Sequence, residues 1–489
     1  MPPIAFESIP ANLRIPGHFV EFDNSMAVKG LPGMPFRGLL IGQRLSTGTI
    51  AAHILKQITD PSQARTYFGN GSALHHMAEV FRRNNQFTEL WAIAVDDNGA
   101  GVQATGTVTV TGPATASGTI YLYVAGRRIT IGVTNGDAQD TIAAAIEAAL
   151  DADATLPVIA SLATNVVTLT ARHKGEIGNE IDLRVNYHEG ENTPAGVGLT
   201  VVAMASGVTN PSLTNMIAAL GDEWFQVIVN PFTDATSLAA LEAEMLSRWG
   251  AMRPYNGHLF AGKRGTFSAL SSFGSGRNSQ FSTYMGANES PTPGYEWAAA
   301  LGGVAAHHLF LDPARPIQTL PLTGVLTPAT SKLFTQSERN LLLFDGISTF
   351  LRDIDGTVRI ERAITSYQLN AAGAVDPSYL DVETMFTAAR LRFDLRTRLA
   401  LRYPRHKLAD DGTRFGAGQV VATPKSVKAE LVALYNEWES LGLVEDAKAF
   451  AAALIVERAP NDVNRLDILL PPNFVNQLRI TATKIQFIV

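Results

Sequence analysis

The stretch "WFQVIVNPFTDATSLAALEAEMLSRWG", residues 224–250, joins a short apolar run to a helical pattern. The run "WFQVIVN" (224–230) is typical of a strand that is buried on both faces, because its apolar residues do not alternate with polar ones. "DATSLAALEAEMLSRWG" follows as a helix, and "HLFAG" (258–262) and "TFSALSSFGSG" (266–276) repeat the order of strand and helix. This alternation predicts a parallel α/β sheet.

The same strand pattern occurs much earlier in the chain. "FRGLLIGQ" (36–43) and "LWAIAV" (90–95) are predicted core strands, and "HHMAEVFRRN" (75–84) is a predicted helix between them. The composition then changes, because residues 99–210 are rich in Thr, Val, Gly and Ala. We therefore expect one α/β core domain, formed by residues 25–98 and 211–365, with a peripheral β-rich α+β module of residues 99–210 inserted into it.

The inserted module contains strand-like runs and one amphipathic helix. The helix, "DTIAAAIEAALD", places Ile142, Ile146 and Leu150 on one face, and Asp140 is its predicted N-cap. The predicted strands are "TVTV" (107–110), "TIYLYV" (119–124), "RRITIGV" (127–133), "NVVTLT" (165–170) and "GLTVVAMA" (198–205).

The last third of the core carries capping and turn signals. Thr335 and Glu338 fit a capping box, and Gly346 fits a helix stop. Asp355-Gly356 predicts a hairpin turn within "FLRDIDGTVRIERA". Just before this region, "WAAALGGVAAHHLFL" (297–311) is predicted to be a buried helix followed by a short strand, and it is too short to span a bilayer.

Residues 366–489 are predicted to form a C-terminal α+β domain. Helices are expected over residues 381–403, ending at Pro404, and over residues 426–441 and 445–457. "RLDILL" and two prolines then precede the chain end.

The two chain ends are predicted to be extended arms. The C-terminal "NQLRITATKIQFIV" has the pattern of a strand, with apolar residues at Leu478, Ile480, Ala482, Ile485, Phe487 and Val489. Such a strand at a sheet edge is a pairing hazard that proteins normally suppress. Residues 1–24 form the predicted N-terminal arm, in which "GHFVEF" (17–22) is a strand that contains His18, Phe19, Val20 and Phe22. The predicted fold class is α/β and α+β multidomain: an α/β core domain with the inserted module, the C-terminal domain and both arms.

Composition limits the possible functions. Only 17% of the 489 residues are charged, which suggests that partners cover much of the surface. The net charge of −6 and pI near 6.0 argue against general nucleic-acid binding. The absence of Cys excludes disulfides and thiolate metal sites. The start "MPPIAFESIP" lacks a basic region and an apolar region, so we expect no signal peptide.

The enzyme-like motifs are weak. "GHLFAGKR" (257–264) fits G-x-x-x-x-G-K, but Arg264 stands where a hydroxyl should reach Mg²⁺, and the intervening residues resemble a strand. "GNGSAL" (69–74) is interpreted as a turn that caps the next helix. The pairs His75-His76 and His307-His308 each offer one ligand per helix face, and no G-x-S-x-G motif is present. We therefore expect no catalytic, cofactor-binding or metal-binding residues and no cofactor.

The stretch "ARLRFDLRTRLALRYPRHK" is basic, with the cations Arg390, Arg392, Arg396, Arg398, Arg402, Arg405 and Lys407. Asp394 and apolar residues on two faces interrupt it. The favoured interpretation is a helix packed on both sides whose arginines pair with neighbours. An interface with an acidic protein surface is the second alternative, and nucleic acid is the third.

Several stretches together resemble the contractile tail sheath proteins of bacteriophages, most closely the Mu-like branch. They include "IPANLRIPGHFVEFDNSMAVKGLPG", "FRGLLIGQRLSTGT", "DPARPIQTLPLTGVL", "FTQSERNLLLFDGISTF", "GTVRIERAITSYQ" and "LDILLPPNFVNQLRITATKIQFIV". They lie in order from the first residues to the last, apart from the Thr-rich insertion and parts of the α/β region.

The resemblance implies a structural subunit of stacked six-fold rings around a tail tube, whose contraction drives the tube through the host envelope for genome ejection. It implies no nucleotide hydrolysis, and arms that add strands to neighbouring copies. The implied partners are further copies, the tail tube protein, and baseplate and terminator proteins, with no nucleic acid and no membrane insertion. The implied location is the virion, after assembly in the host cytoplasm. A non-contractile tube or capsid protein, or an α/β hydrolase or NTPase, remains the alternative.

Overall fold

The structure is a computed structural model that describes residues 33–416 and 418–488, together with positions 15, 17 and 20. Of the predicted N-terminal strand, His18, Phe19 and Phe22 lie outside the described residues, and Val20 is exposed. Val489 of the predicted C-terminal strand also lies outside them.

The strands are numbered in chain order. They are β1 (Arg37–Gln43), β2 (Leu55–Ile58), β3 (Glu89–Val95), β4 (Gln103–Thr111), β5 (Gly118–Val124), β6 (Arg127–Val133), β7 (Val158–Ala163), β8 (Val166–Lys174), β9 (Leu183–Val185), β10 (Gly198–Ala205), β11 (Val227–Val229), β12 (His258–Arg264), β13 (Ser282–Asn288), β14 (Ile347–Arg352), β15 (Val358–Arg362), β16 (Lys407–Leu408), β17 (Val421–Ala422), β18 (Ile455–Arg458) and β19 (Leu466–Leu469).

The helices are numbered in the same way. They are α1 (Pro61–Phe68), α2 (Ala73–Asn84), α3 (Gln139–Ala152), α4 (Thr214–Leu220), α5 (Ala235–Trp249), α6 (Phe267–Ser275), α7 (Gly294–Leu311), α8 (Gln336–Phe344), α9 (Val382–Arg402), α10 (Pro424–Ser440) and α11 (Ala447–Ala453). Short 3₁₀ turns cover Glu176–Glu180 and Thr330–Lys332.

An 8-stranded sheet in the order β15-β14-β13-β12-β11-β1-β3-β2 forms the core. The pairs from β14 to β3 are parallel, which confirms the predicted α/β sheet. One apolar cluster on this sheet includes α2 and α7, and another includes α4, α5 and Met385. Both faces are therefore covered, as the continuous apolar runs predicted.

The predicted strand at the end of residues 297–311 is wrong. Helix α7 runs without interruption from Gly294 to Leu311, and it ends at Asp312, whose backbone is extended. The next residue is Pro313, and a residue before proline avoids the helical conformation. The helix therefore continues to the last position that proline allows.

The inserted module consists of a four-stranded sheet, β10-β4-β8-β7, and a three-stranded sheet, β6-β5-β9. Both sheets and α3 enclose one apolar core. The chain enters and leaves at one place, because the Asn98 side-chain amide donates to the Asn210 carbonyl and Val102 pairs with Val208. The predicted N-cap of α3 is wrong, because the N-cap is Ala138 and Asp140 lies inside the first turn. There the negative charge of Asp140 interacts favourably with the positive end of the helix dipole.

The capping and turn predictions for the rest of the core are confirmed. Thr335 and Glu338 form a capping box at α8, and Gly346 has the positive φ of a helix stop. Gly356, with φ 88°, turns the chain between the antiparallel strands β14 and β15.

The third predicted helix of the C-terminal region is too long. Helix α11 ends at Ala453, and residues 455–458 form β18, which pairs with β19 in an antiparallel ribbon. Ile455 and Val456 are β-branched, and the ribbon places Val456, Leu466 and Ile468 against the apolar cluster of α10 and α11. A pairing partner close in space thus overrides the local helical pattern. Among the described residues, no helix is long and apolar enough to cross a membrane.

Candidate assembly site

The last backbone contacts of the C-terminal tail with the body are at Phe474, which pairs with Val444, and at Val475, whose N–H donates to the Leu443 carbonyl at 3.2 Å. From position 475 to 488 the described tail belongs to no sheet of the chain. Leu478 is 75% exposed, Ile480 83% and Phe487 83%. Ala482 and Ile485 are exposed as well. The predicted apolar residues therefore lie on a free tail, available to a partner outside the chain.

The side chain of Arg479, in the tail, is directed toward the body of the protein. Its guanidinium lies 3.0 Å from Asp381 Oδ1 and 3.0 Å from Glu383 Oε2, and its side chain is only 11% exposed. It also donates to Gln318 Oε1 at 3.0 Å. Burial raises the pKa of Glu383, and the nearby Arg479 opposes that rise. The tail is thus fixed at Arg479 while Leu478 and Ile480, on either side, face solvent.

The ribbon of β18 and β19 is a possible acceptor of a further strand. Ala459 N–H donates to the Arg465 carbonyl, so the antiparallel register places the pairs 457/467 and 455/469 in hydrogen bonds with each other. The N–H groups of four residues then point outward and bind no acceptor within the described part of the chain: Val456, Arg458, Leu466 and Ile468. A two-stranded ribbon is marginal alone and gains stability from added strands.

At the opposite side of the core, the enzyme-like motif is closed by the inserted module. Residues 258–264 are strand β12, as expected, and not a phosphate loop. Arg264 donates to the Glu180 carbonyl at 2.6 Å and to Asp182 Oδ1 at 2.7 Å, and Lys263 lies 3.7 Å from Glu180 Oε1. Glu180 Oε2 also accepts the N–H of Gly294, the first residue of α7, at 2.9 Å. A bound phosphate would need the N–H groups at the start of α7 and the cations Lys263 and Arg264. The carboxylates of Glu180 and Asp182 already bind these groups.

The pair His75-His76 is part of the packing, whereas His307 and His308 are half-buried. Ser72 caps α2, which confirms the predicted turn, and Gly71 N–H donates to His75 Nδ1 at 3.2 Å. His76 Nε2 lies 2.7 Å from the Thr155 carbonyl in the module, and burial lowers the pKa of His76 well below its usual range. Among the described residues, no group of three or more His, Asp or Glu is placed to hold a metal ion.

The basic helix α9 is packed against its neighbours, and most of its arginines have partners, as the favoured interpretation predicts, whereas Arg396 is exposed. Arg390 pairs with Asp394 at 3.0 Å, and Arg398 pairs with Glu430 at 3.1 Å and with Glu437. The Arg392 guanidinium stacks on Trp249 at 4.1 Å from the ring centroid.

Comparison with known proteins covers the whole chain. The family model "Phage tail sheath protein central domain" matches residues 206–366, "Phage tail sheath C-terminal domain" matches residues 374–488, and "Phage tail sheath protein beta-sandwich domain" matches residues 99–202. The chain is 43% identical over 485 residues to the Mu-like prophage FluMu tail sheath protein of Haemophilus influenzae, with 99% of each chain covered. The chain belongs to the phage tail sheath protein family.

A solved sheath structure shares the fold at low identity, and a second is similar over most of the chain. The sheath tail protein of Desulfitobacterium hafniense has a TM-score of 0.50 and 12% identity, over 94% of this chain and 97% of that chain. The helical sheath of the anti-feeding prophage in its contracted state has a TM-score of 0.47 and 12% identity, over 96% and 99%. The expected family and multidomain fold class are confirmed, and this tail sheath protein is a structural component of a phage tail.

In this sheath chain, sequence reasoning located the free tail and missed its anchor. The sequence predicts Asp381 only as a helix start and indicates no role for Glu383 or Arg479. The available signal is an arginine between two apolar residues of the predicted strand, Leu478 and Ile480, together with two carboxylates at one helix start.

Proposed function

We propose that this sheath protein polymerises as stacked hexameric rings around the tail tube and contracts to drive the tube through the host envelope. Energy is stored in the assembly, and no nucleotide is hydrolysed. Its partners are further copies, the tail tube protein, and baseplate and tail terminator proteins, and assembly takes place in the host cytoplasm before the virion is complete. The N-terminal residues 1–24, with His18, Phe19, Val20 and Phe22, act as a second arm.

The observation that carries this proposal is the exposed apolar tail of residues 478–488, which has no sheet partner in the described chain. A free apolar strand is unfavourable in water and tends to pair with another edge. Addition of such a strand to a partner sheet is a common mode of recognition. The ribbon β18–β19 of a neighbouring copy offers suitable edges, so each copy donates one strand and accepts another.

The net free energy of strand addition is modest for one contact, and it becomes large when the contact is repeated in a polymer. About six to ten backbone hydrogen bonds contribute roughly 0.5–1.5 kcal/mol each. Ile480, Ile485 and Phe487 contribute about 1.5–3 kcal/mol each when buried. Ordering the tail costs about 1–2 kcal/mol per residue. Because a ring repeats the contact in every subunit, a small loss at each contact multiplies along the cylinder.

Deletion of residues 484–489 distinguishes donation of the tail to a neighbouring copy from pairing of the tail with a sheet of its own chain. We expect the unassembled protein to keep its melting temperature within a few degrees, because the tail contributes to no sheet of its own chain. Cylinders seen by negative-stain electron microscopy should disappear. Ile485→Pro should act like the deletion because proline removes a ladder donor, and Ile485→Val is the matched control that should still assemble. Long cylinders built by the deleted protein would refute strand donation.

The absence of cysteine allows a direct test of which chain accepts the strand. The double variant Ile485→Cys, Leu469→Cys places one thiol on the tail and one on β19. Donation to a neighbour predicts a ladder of disulfide-linked oligomers on non-reducing gels of assembled protein. Pairing within one chain predicts only a monomer of altered mobility.

The proposal that this protein hydrolyses no nucleotide is tested with ATP. Glu180 and Asp182 hold Lys263 and Arg264, so we expect no binding by calorimetry at micromolar concentrations and no ATP dependence of assembly or contraction. Micromolar ATP binding that Lys263→Ala abolishes would overturn it.

A further inference from the structure

Both described ends of the chain meet at the first turns of α9. At the entering end, Met34 is buried, and the Phe36 ring lies 6.1 Å from the Phe386 ring and 5.5 Å from the Phe310 ring. At the leaving end, Arg479 binds the carboxylates of Asp381 and Glu383. The two attachments are thus separated by little more than one helical turn.

The first turn of α9 is built as a socket for arginine. Asp381 occupies the N-cap position, yet its side chain makes no capping bond to the helix. Its carboxylate instead accepts from Arg362, at 3.1 Å through both oxygens, and from Arg479. An N-cap aspartate ordinarily binds the backbone N–H groups of its own helix, so this carboxylate is diverted to the two arginines.

Glu383 makes the socket selective for a cation. Its side chain is fully buried, and one oxygen accepts the Ile317 N–H at 2.9 Å while the other binds Arg479 at 3.0 Å. A buried carboxylate needs a paired charge or a proton, so releasing Arg479 leaves Glu383 without its cation. Arg479 is the tail residue whose side chain binds both carboxylates of the socket.

We propose that Arg479 is the positioning residue of the C-terminal arm: Arg479 fixes the predicted strand of residues 478–488 to the body, and the part from Ile480 onward is the part that is donated. This rests on the proposed strand donation. The first turns of α9 then contact the chain that follows the N-terminal arm as well as the C-terminal arm. Met385 and Phe386 in these turns belong to the sheet core, and Leu391, Leu395 and Leu399 farther along the helix belong to the C-terminal core. A pull on either arm is carried to both cores through one helix.

Limited trypsin digestion of the unassembled full chain tests the anchor without reference to assembly. Lys484 is exposed, whereas Arg479 is held in the socket. We expect cleavage after Lys484 to be at least tenfold faster than after Arg479. In the variant Asp381→Asn, Glu383→Gln, which keeps Arg479 but removes both carboxylates, cleavage after Arg479 should accelerate at least tenfold.

Controls separate loss of the anchor from loss of the fold. Cleavage after Arg248, whose side chain is 1% exposed, reports global unfolding and should not change. Asp353→Asn, in the turn of the β14–β15 hairpin, is a charge change outside the socket and should leave both tail rates unaltered. Equal wild-type rates after Lys484 and Arg479, or no acceleration in the double variant, would overturn the anchor even if the tail deletion confirms donation.

The same double variant measures what the anchor does in assembly. With the tail sequence intact, we expect the critical concentration for cylinder formation to rise at least tenfold, because the strand no longer starts from a fixed point. An unchanged critical concentration, with trypsin showing the socket open, would refute a positioning role for Arg479. Because this variant retains residues 484–489, that outcome is distinct from failure of strand donation.

Discussion

Glu296 carries a charge into the centre of the contact between the module and the core. Its carboxylate lies in the first turn of α7, is almost fully buried, and is 2.9 Å from Arg127 Nη1 on β6 of the module. Burial raises the pKa of Glu296, and Arg127 opposes that rise. A buried charge is tolerated only when it is paired, so this one contact couples the stability of the core to the presence of the module.

Arg127→Ala should therefore cost about 3–5 kcal/mol in the free energy of unfolding, because it leaves Glu296 buried without a cation. Glu296→Gln should cost less, since the Arg127 side chain is 25% exposed and can reach water. Urea unfolding at pH 8 measures both variants. Arg396→Ala, on the exposed face of α9, is the control and should stay within about 0.5 kcal/mol of wild type. A cost for Arg127→Ala no larger than that of Arg396→Ala would contradict the coupling.

His258 is a second buried titratable group, and it predicts a pH dependence. Burial lowers its pKa to about 3, and Nε2 lies 2.8 Å from Thr283 Oγ1. The unfolded chain binds a proton near pH 6.5 while the folded chain does not, so this contribution to stability is present above 6.5 and is lost as the pH falls. Between pH 6 and 5 we expect a loss of about 1.4 kcal/mol per unit from this residue. His258→Asn should have a slope shallower by that amount in urea unfolding, and equal slopes would contradict the prediction.

At the scale of elements, the close approach of α7 to β12 depends on glycine. A Cβ built on Gly262 would lie 2.2 Å from the Gly294 carbonyl oxygen and 2.9 Å from Trp297 Cβ. The helix start therefore rests directly on the strand backbone, and the Glu180 carboxylate reaches the Gly294 N–H at the same place.

Gly262→Ala should destabilise the protein by about 3 kcal/mol or more, because the neighbouring atoms are backbone and cannot turn aside. Gly132→Ala is the matched control, since nothing lies within 4 Å of its Cβ position on strand β6. The control should be neutral or more stable by up to about 1 kcal/mol. Thermal unfolding measures both, and similar melting temperatures for the two variants would show that α7 can shift away from β12.

At the scale of the whole molecule, the inserted module and helix α9, which anchors Arg479, lie at opposite ends of strand β12. The module binds Lys263 and Arg264 at the carboxyl end of β12, and Phe386 of α9 packs against His258 at its start. A strand of 7 residues separates the two places by about 20 Å. Loss of the module should therefore have only an indirect effect on the C-terminal arm.

Replacing residues 98–212 by a short Gly/Ser linker should leave a folded protein that still polymerises. Its melting temperature should fall, because Glu296, His76 and Arg264 lose their partners in the module. Adding Glu296→Gln should restore part of the loss, since an amide is less costly than an unpaired buried carboxylate. Thermal unfolding and electron microscopy check the two outcomes. A protein that stays insoluble with Glu296→Gln and with the tube protein co-expressed would count against a dispensable module.

The features that the sequence determined by itself are those encoded by near neighbours. The buried strands at 90–95 and 258–264 follow from continuous apolar runs, the start of α8 from Thr335 and Glu338, and the hairpin turn from Gly356. In each case the side chains that decide the conformation lie within a few residues, so the pattern can be interpreted locally. The apolar tail was predicted on the same basis.

Only the tertiary structure decided where distant segments meet. Residues 455–458 became a strand because residues 466–469 lie beside them, and Lys263 and Arg264 became structural because Glu180 and Asp182 arrive from the module. Arg479 became an anchor because Asp381 and Glu383 sit almost a hundred residues earlier in the chain, at a helix start that folding brings to it. Local propensity is a weak preference that burial and pairing can override, and the partners of a buried charge are chosen by the fold and not by neighbours in sequence.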